Sequence, residues 1–374
     1  MSSNTVIFKA GTIFDDFKGK INAQKIKLIR KNVEIDFPTR LAPMSIDDTV
    51  FIKNKRAVYL AGGIVISISN PVKISVNVLG KKNGILHIDK NVKSPAVINH
   101  GYKIMCKVLG VDPSLSIKVD DSKIPMHSGF ASNGASFGAI CSSINELFGN
   151  PIENKDLFRF LVNNYGEQYD VGDLESLGKN ICVGGSLSSG LFEGGIQVLS
   201  SEYTIIGAAK YNGSAIIGIP IDHKPISLKE FTHFEQKIVR KIINTPNEDY
   251  KRYLIENFEK IALPKLAVND ISGISDIVFG DRFNDEGGLS IKKYISKIFP
   301  RSAQIAKKIR SLYDSDKPHC DMLGTSSLSS TFFALVSNET DKDICLKMFK
   351  EQEMDILVYP VCNNTYSVKY DTQG

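Results

Sequence analysis

Apolar residues along this 374-residue chain change period several times, and each change marks an element. Residues 72–78 alternate apolar and polar positions after Asn70-Pro71, the period of a half-buried strand. Val58-Tyr-Leu60 and the run 64–68 flank Gly62-Gly63, so residues 39–78 predict a meandering sheet. Residues 100–109 read as a helix ending at Gly110, and Ser116-Ile-Lys-Val119 as a short strand. Phe137, Ile140, Cys141, Ile144, Leu147 and Phe148 then recur at a helical period over 135–148, and residues 152–164 repeat that period. Strands are expected at 195–199, 215–221, 331–336 and 355–361, and amphipathic helices at 228–244, 248–262 and 302–313. Sheet and helix therefore mix throughout, an α+β chain whose character shifts near residues 200–225. No internal repeat or low-complexity tract interrupts it.

Between the strand at 116–119 and the helix at 135–148 lies Pro125-Met-His-Ser-Gly-Phe-Ala-Ser-Asn-Gly134. Small residues there let backbone N–H groups approach an anion, and the helix N-terminus adds unpaired donors and partial positive charge. A plain capped helix, with Ser132 or Asn133 as the N-cap, would use the same residues. The segment is neither a P-loop nor a dinucleotide fingerprint, since it lacks both Gly-Lys-Ser/Thr and GxGxxG. Two similar segments follow, Gly184-Gly-Ser-Leu-Ser-Ser-Gly190 and Gly324-Thr-Ser-Ser-Leu-Ser-Ser-Thr331. Three loops converging on one cleft would give a diphosphate donors from several directions.

A net charge of +5 from 46 basic and 41 acidic side chains is too mild and dispersed for nucleic acid, but suits a small anionic substrate. The six cysteines show neither CxxC nor metal spacing, which points to reduced core thiols and a cytoplasmic protein. No apolar run approaches the roughly 20 residues needed to cross a bilayer. Paired acids are the natural Mg²⁺ candidates: Asp47-Asp48, Asp120-Asp121, Asp170 with Asp173, and Glu193 at the mouth of the second segment. The pair at 120–121 reads instead as a strand-end turn. His127 is the one histidine inside a phosphate-type loop, where imidazole can donate to an anion or act as acid and base, or pack beneath the strand. Arg40 and Lys123 are candidate contacts to phosphate or carboxylate, and no metal ligand set is readable.

The order of these segments resembles the GHMP kinase superfamily, and within it β-ribofuranosylaminobenzene 5′-phosphate synthase and related C-nucleoside synthases. Thr39-Arg-Leu41 with Ala61-Gly-Gly-Ile64, Pro125-Met-His-Ser-Gly-Phe-Ala-Ser132, Gly190-Leu-Phe-Glu-Gly-Gly195 and Gly324-Thr-Ser-Ser-Leu-Ser-Ser-Thr-Phe-Phe-Ala-Leu335 carry the likeness, which spans roughly residues 39–368. Three positions depart from the family pattern. Its histidine after Arg-Ile/Leu is missing from Arg40-Leu-Ala-Pro-Met-Ser45, its aspartate before Gly-Gly is Ala61, and a loop glycine is Ala131.

The resemblance implies a two-lobed fold: an extension over 1–38, a ribosomal-protein-S5-like lobe over 39–215 with the phosphate loop, and a ferredoxin-like lobe over 216–374. It implies a glycosyltransferase that moves 5-phosphoribosyl from phosphoribosyl diphosphate to carbon of an aromatic or heteroaromatic carboxylic acid, with loss of diphosphate and CO₂. Mg²⁺ would be the cofactor and a homodimer the assembly. Ser128, Gly129, Ser132, Asn133 and Gly134 would hold the diphosphate, and Ser326 and Ser327 the phosphosugar. Glu193 and His127 would be the catalytic candidates, with Arg40 a polar substrate contact. Two alternatives stand beside it: an ATP-dependent small-molecule kinase on the same loop, and a non-catalytic ligand-binding homologue. Superfamily kinases usually carry an aspartate in the central segment, and Ser189-Gly190-Leu-Phe has none.

Overall fold

The computed structural model describes residues 6–15, 26–44, 63–80, 84–125, 128–168, 173–179, 184–200, 204–223, 248–285, 287, 290–327 and 329–370. The strand expected at 58–60, the helix expected at 228–244, His127, Asp47-Asp48 and Asp170 lie outside them. The strands are Ile7–Lys9 (β1), Asn32–Met44 (β2), Gly63–Val78 (β3), Leu86–Ile88 (β4), Leu115–Asp120 (β5), Glu167–Gln168 (β6), Ser176–Gly178 (β7), Ile196–Leu199 (β8), Ile205–Ala209 (β9), Ser214–Pro220 (β10), Met322–Thr325 (β11), Phe332–Val336 (β12), Met354–Pro360 (β13) and Ser367–Lys369 (β14). The principal helices are Pro95–Leu109 (α1), Ser132–Leu147 (α2), Asn154–Asn164 (α3), Gly184–Leu191 (α4), Glu248–Asn257 (α5), Ser272–Phe283 (α6), Arg301–Ile309 (α7) and Glu339–Glu351 (α8). This is the expected α+β fold. No described helix is long and apolar enough to cross a membrane.

The larger sheet runs β14-β2-β3-β5-β4, with β8 and β9 continuing from the first half of β3. Asn70-Pro71 does not break β3, contrary to the two strands expected there. Register shifts instead, from Phe37 opposite Val72 to Thr39 opposite Ile68, so that Ser69, Asn70 and Pro71 bulge opposite Pro38 of β2, and Thr39 Oγ1 donates to the Asn70 carbonyl at 2.7 Å. A bulge is a place where proline, which has no N–H to give the ladder, is tolerated. β2 begins at Asn32, so residues 32–38 of the expected extension run in this sheet. β14 returns from the C-terminal end to pair with the same strand.

The smaller sheet, β11-β12-β10-β13, is buried on both faces by period-2 alternation. Ala215, Ile217, Phe333 and Leu335 join the main core, while Ile216, Phe332, Ala334 and Val336 join a second core with Ile305 and Ile309 of α7 and Phe349 of α8. That two-sided burial explains the continuous apolar run at 332–336.

The second small-residue segment is a helix rather than a loop. Leu187 and Leu191 bury one helical face, and Ser189 Oγ bonds to the Ser186 and Pro38 carbonyls at 3.0 and 3.1 Å. Phe37 of β2 is wedged between α2 and α4: a Cβ at Gly138 would stand 2.5 Å from its ring, and one at Gly190 would stand 2.4 Å from it. Missing side chains thus set how closely both helices pack on the sheet. Gly190→Ala is expected to cost about 1–3 kcal/mol by overpacking, read as a lower denaturant midpoint.

His100 ties the N-terminal segment to the helices. Gly11 N–H donates to its Nδ1 at 2.9 Å, which leaves Nε2–H to donate to the Asn164 carbonyl at 2.6 Å, and the ring stacks on Phe137. Burial pushes the imidazole down to about 4 from its ordinary value near 6.5. The folded-state value is depressed, so the neutral ring's contribution is full above pH 6.5 and is lost as pH falls toward 4. About 3 kcal/mol of stability is expected to disappear across that window. Denaturant unfolding of wild type and His100→Gln at pH 7 and pH 4 checks this, since the glutamine variant should lack that part of the loss.

Candidate anion-binding site

The first loop is held by a serine from the third. Ser326 Oγ donates to the Gly129 carbonyl at 2.7 Å and accepts from Ala42 N–H of β2 at 3.0 Å, while Ser327 N–H donates to the Ala42 carbonyl at 2.7 Å. Gly129 has φ +81°, and a Cβ there would lie 2.8 Å from the Ser326 carbonyl oxygen. Only glycine meets both demands. One step further along, Ala131 adopts φ 55° and opens α2 as its N-cap without any side-chain cap. Neither Ser132 nor Asn133 is the N-cap, and Ala131 in that position has no side chain to cover the N–H groups of the first turn.

The second segment meets the first at a helix end. A Cβ on Gly134 would stand 2.3 Å from Ser186 Cβ, so the first turns of α2 and α4 are in contact. A Cβ on Gly185 would stand 3.5 Å from Arg40 Nε, which places the Arg40 side chain against the start of α4. Two helix N-termini and a guanidinium therefore gather at one place, and their positive potentials add. Arg40, Gly129, Ser132, Asn133, Gly185 and Ser327 are all half-buried, open to an incoming ligand, whereas Ser128, Gly134 and Ser326 are buried behind them.

The Asn133 side chain is committed elsewhere. Its amide donates to Glu167 Oε2 at 2.7 Å and its Oδ1 accepts from Ser94 Oγ at 2.5 Å, leaving only its backbone N–H for an anion. Through that bond Glu167, also half-buried, stands beside the uncapped helix start. The neighbouring Tyr165 phenol is pushed well above its ordinary range by burial and then by Glu167, with Arg40 acting in the opposite direction. Glu167 escaped the sequence reading because its one signal is a lone acid after Tyr165-Gly166. Arg282, fully buried on α6, was also missed. Its Nε donates to the Pro43 carbonyl at 2.7 Å and its Nη1 to the Ser327 carbonyl at 3.2 Å, which pins the end of β2 to the third loop. The Asp281-Arg282 pair inside an apolar helical run was its only trace.

Glu193 does not join this group. It is exposed beyond the C-terminal end of α4, the opposite end from Gly185, and its carbonyl accepts from Gln197 Nε2 at 3.5 Å. Asp120 accepts from Ser122 N–H and Oγ at 3.1 and 2.7 Å, the strand-end turn expected of it, and these bonds hold its carboxyl below the ordinary range. Lys123 is exposed. Among the described residues no group of three or more His, Cys, Asp or Glu side chains is placed to hold a metal ion. Mg²⁺ asks for less, one or two carboxylates completed by substrate phosphates and water, and Glu167 beside the start of α2 fits that donor set.

Residues 96–174, which run from α1 through the first loop and α2 past Glu167, match the family of GHMP kinases N terminal domains. No curated protein sequence matches the chain. The fold is similar to that of homoserine kinase from Cytophaga hutchinsonii, at 16% identity and a TM-score of 0.62 over 92% of this chain and 99% of that one. It is similar also to mevalonate diphosphate decarboxylase from Staphylococcus aureus, at 15% and 0.61 over 91% and 98%. Mevalonate kinase from Methanococcus jannaschii gives 12% and 0.55 over 88% and 98%. At such identities the likeness is one of fold.

Gly129→Ala, which combines positive φ with a clash on Ser326, is expected to cost about 2–3 kcal/mol and to weaken anion binding. Ala131→Gly relieves a left-handed alanine and is expected to change stability by less than about 1 kcal/mol. Thermal unfolding of the two variants, with and without inorganic pyrophosphate, checks the contrast.

Proposed function

We propose that the chain binds the polyphosphate of a nucleoside triphosphate at the junction of α2, α4 and the third loop and transfers a phosphoryl group to a small anionic metabolite. The contact between the first turns of α2 and α4, with Arg40 against it, is the observation that carries this reading. Phosphoryl transfer asks a protein chiefly for positioning and for stabilisation of charge on the transferring oxygens. N–H groups of Ser132, Asn133 and Gly134 would hold phosphate oxygens, with Ser132 Oγ at the open rim. Arg40 would take the charge that develops at the leaving oxygen, and Ser326 and Arg282 keep the loops in register. Mg²⁺, held by Glu167 and the substrate phosphates, would supply charge neutralisation. The family match of residues 96–174 and the kinase and decarboxylase folds named above support phosphate chemistry of this class.

A second reading is favoured by one feature of α4. Its residues are Gly, Ser and Leu alone, so the helix offers no carboxylate to accept a proton from an acceptor hydroxyl. Transfer of 5-phosphoribosyl from phosphoribosyl diphosphate to carbon of an aromatic carboxylic acid, with loss of diphosphate and CO₂, needs no such base at that point and would use the same donors for the leaving diphosphate. In that reaction Ser327 would lie near the phosphosugar, with Ser326 buried behind it.

Incubation with Mg²⁺ and either ATP or phosphoribosyl diphosphate, against panels of small hydroxy acids and aromatic carboxylic acids, separates the two. Phosphoryl transfer predicts acceptor-dependent ADP release with no turnover of phosphoribosyl diphosphate, and Arg40→Ala is expected to lower kcat/KM by about 10²-fold. Equimolar diphosphate and CO₂ without ADP would replace it by the ribosyl transfer. Binding of ATP without any turnover would leave a ligand-binding homologue.

A further inference from the structure

Tyr366 touches the three elements β2, α2 and α4 at once. Its ring stacks on Phe37 of β2, with centroids 6.1 Å apart and planes 10° from parallel, and its N–H donates to the Gly190 carbonyl of α4 at 2.7 Å. Its hydroxyl donates to Glu146 Oε1 at 2.9 Å, near the C-terminal end of α2. Phe37 is itself the wedge between the two helices, packed on Gly138 of α2 and Gly190 of α4. Tyr366, half-buried, therefore backs the side chain that sets how far apart those helices lie.

Glu146 anchors this contact. The residue is buried, and its carboxylate accepts from Tyr366, from the Tyr370 hydroxyl at 2.6 Å and from Asn150 Nδ2 at 2.6 Å, with Arg30 Nη1 at 3.4 Å. Burial and then Glu146 push both phenols above their ordinary range, so both stay protonated and donate. Tyr370 shares the carboxylate and lies under the Arg30 guanidinium, 4.0 Å from its ring centre. The stack on Phe37 and the bond to Gly190 belong to Tyr366. A close-packed interior passes the displacement of one side chain to its neighbours. Loss of the Tyr366 ring frees space behind Phe37, and the spacing that brings Gly134 against Ser186 at the helix starts is no longer fixed from that side.

We propose that Tyr366 is a positioning residue for the anion site: by holding Phe37 against Gly138 and Gly190 it fixes the spacing of α2 and α4, and with it the approach of their N–H groups to a polyphosphate. The inference rests on the polyphosphate reading above. Ser132 and Glu146 lie about 21 Å apart along α2 at 1.5 Å per residue, so Tyr366 acts through the helices and not on the phosphate.

Calorimetric titration with inorganic tripolyphosphate and Mg²⁺ reads the binding, and hydrogen exchange of the first hydrogen-bonded amides of α2 and α4 reads the helix starts in the ligand-free protein. Tyr366→Ala is expected to weaken binding about tenfold or more and to speed exchange at both helix starts by a similar factor. Tyr366→Leu, which leaves a smaller gap, takes its place where alanine prevents folding. Tyr366→Phe, which keeps the ring, and Tyr370→Phe each remove one bond to Glu146. Both are expected to lower the denaturant midpoint alike while binding and exchange at the helix starts stay within about twofold of wild type, a split that a merely stabilising role would not produce. Unchanged binding in Tyr366→Ala, no recovery in Tyr366→Phe, or equal weakening by Tyr370→Phe would overturn the proposal. Absence of binding in wild type would instead refute the polyphosphate reading, and exchange at the helix starts that Tyr366→Ala leaves unchanged would then overturn the role of Tyr366 by itself.

Discussion

The hydroxyl of Ser326 joins three parts of the chain that are far apart in sequence. It donates to the Gly129 carbonyl and accepts from Ala42 N–H, so the first loop, β2 and the third loop share one fixed geometry. Everything proposed for the site depends on backbones approaching closely: a side chain at Gly129 would meet Ser326, and one at Gly134 would meet Ser186 of α4. Gly138 and Gly190 serve the same end one layer deeper by admitting Phe37 between α2 and α4. The small residues that suggest anion binding are thus in part packing residues.

Electrostatics follow from that packing. Two helix N-termini in contact repel one another unless an anion or a carboxylate lies close, and Glu167, bonded to Asn133, is a carboxylate beside the start of α2. Arg40 on β2 adds positive charge on the α4 side. A polyphosphate bridged by a cation to Glu167 would balance the local charge, while an uncharged ligand would gain little from this arrangement.

Much of the fold was legible in the chain. The helix ending at Gly110, the strand before the first loop and the long helix after it follow from period and punctuation, because those elements bury one well-defined face. The second segment misled, since glycine and serine predict a loop when their tertiary partner, Phe37, is unknown. Asn70-Pro71 misled likewise, because only the pairing with β2 turns a break into a bulge. At the site, Gly129 packs on Ser326, Gly134 on Ser186 and Gly185 near Arg40, whereas Glu193 stands at the other end of α4 and His127 lies outside the described residues. Glu167 and Arg282 carry no local signature, their placement arising from bonds to Asn133, Pro43 and Ser327.

Calorimetric titration of inorganic tripolyphosphate with Mg²⁺ into wild type, Gly134→Ala, Gly185→Ala and Ser326→Ala most directly tests whether the three segments form one site. One site per chain, weakened about tenfold or more by a change in any one segment while the variants remain folded, is the result predicted from the shared geometry. Binding that responds to the first segment alone, or two independent sites of different affinity, would contradict it.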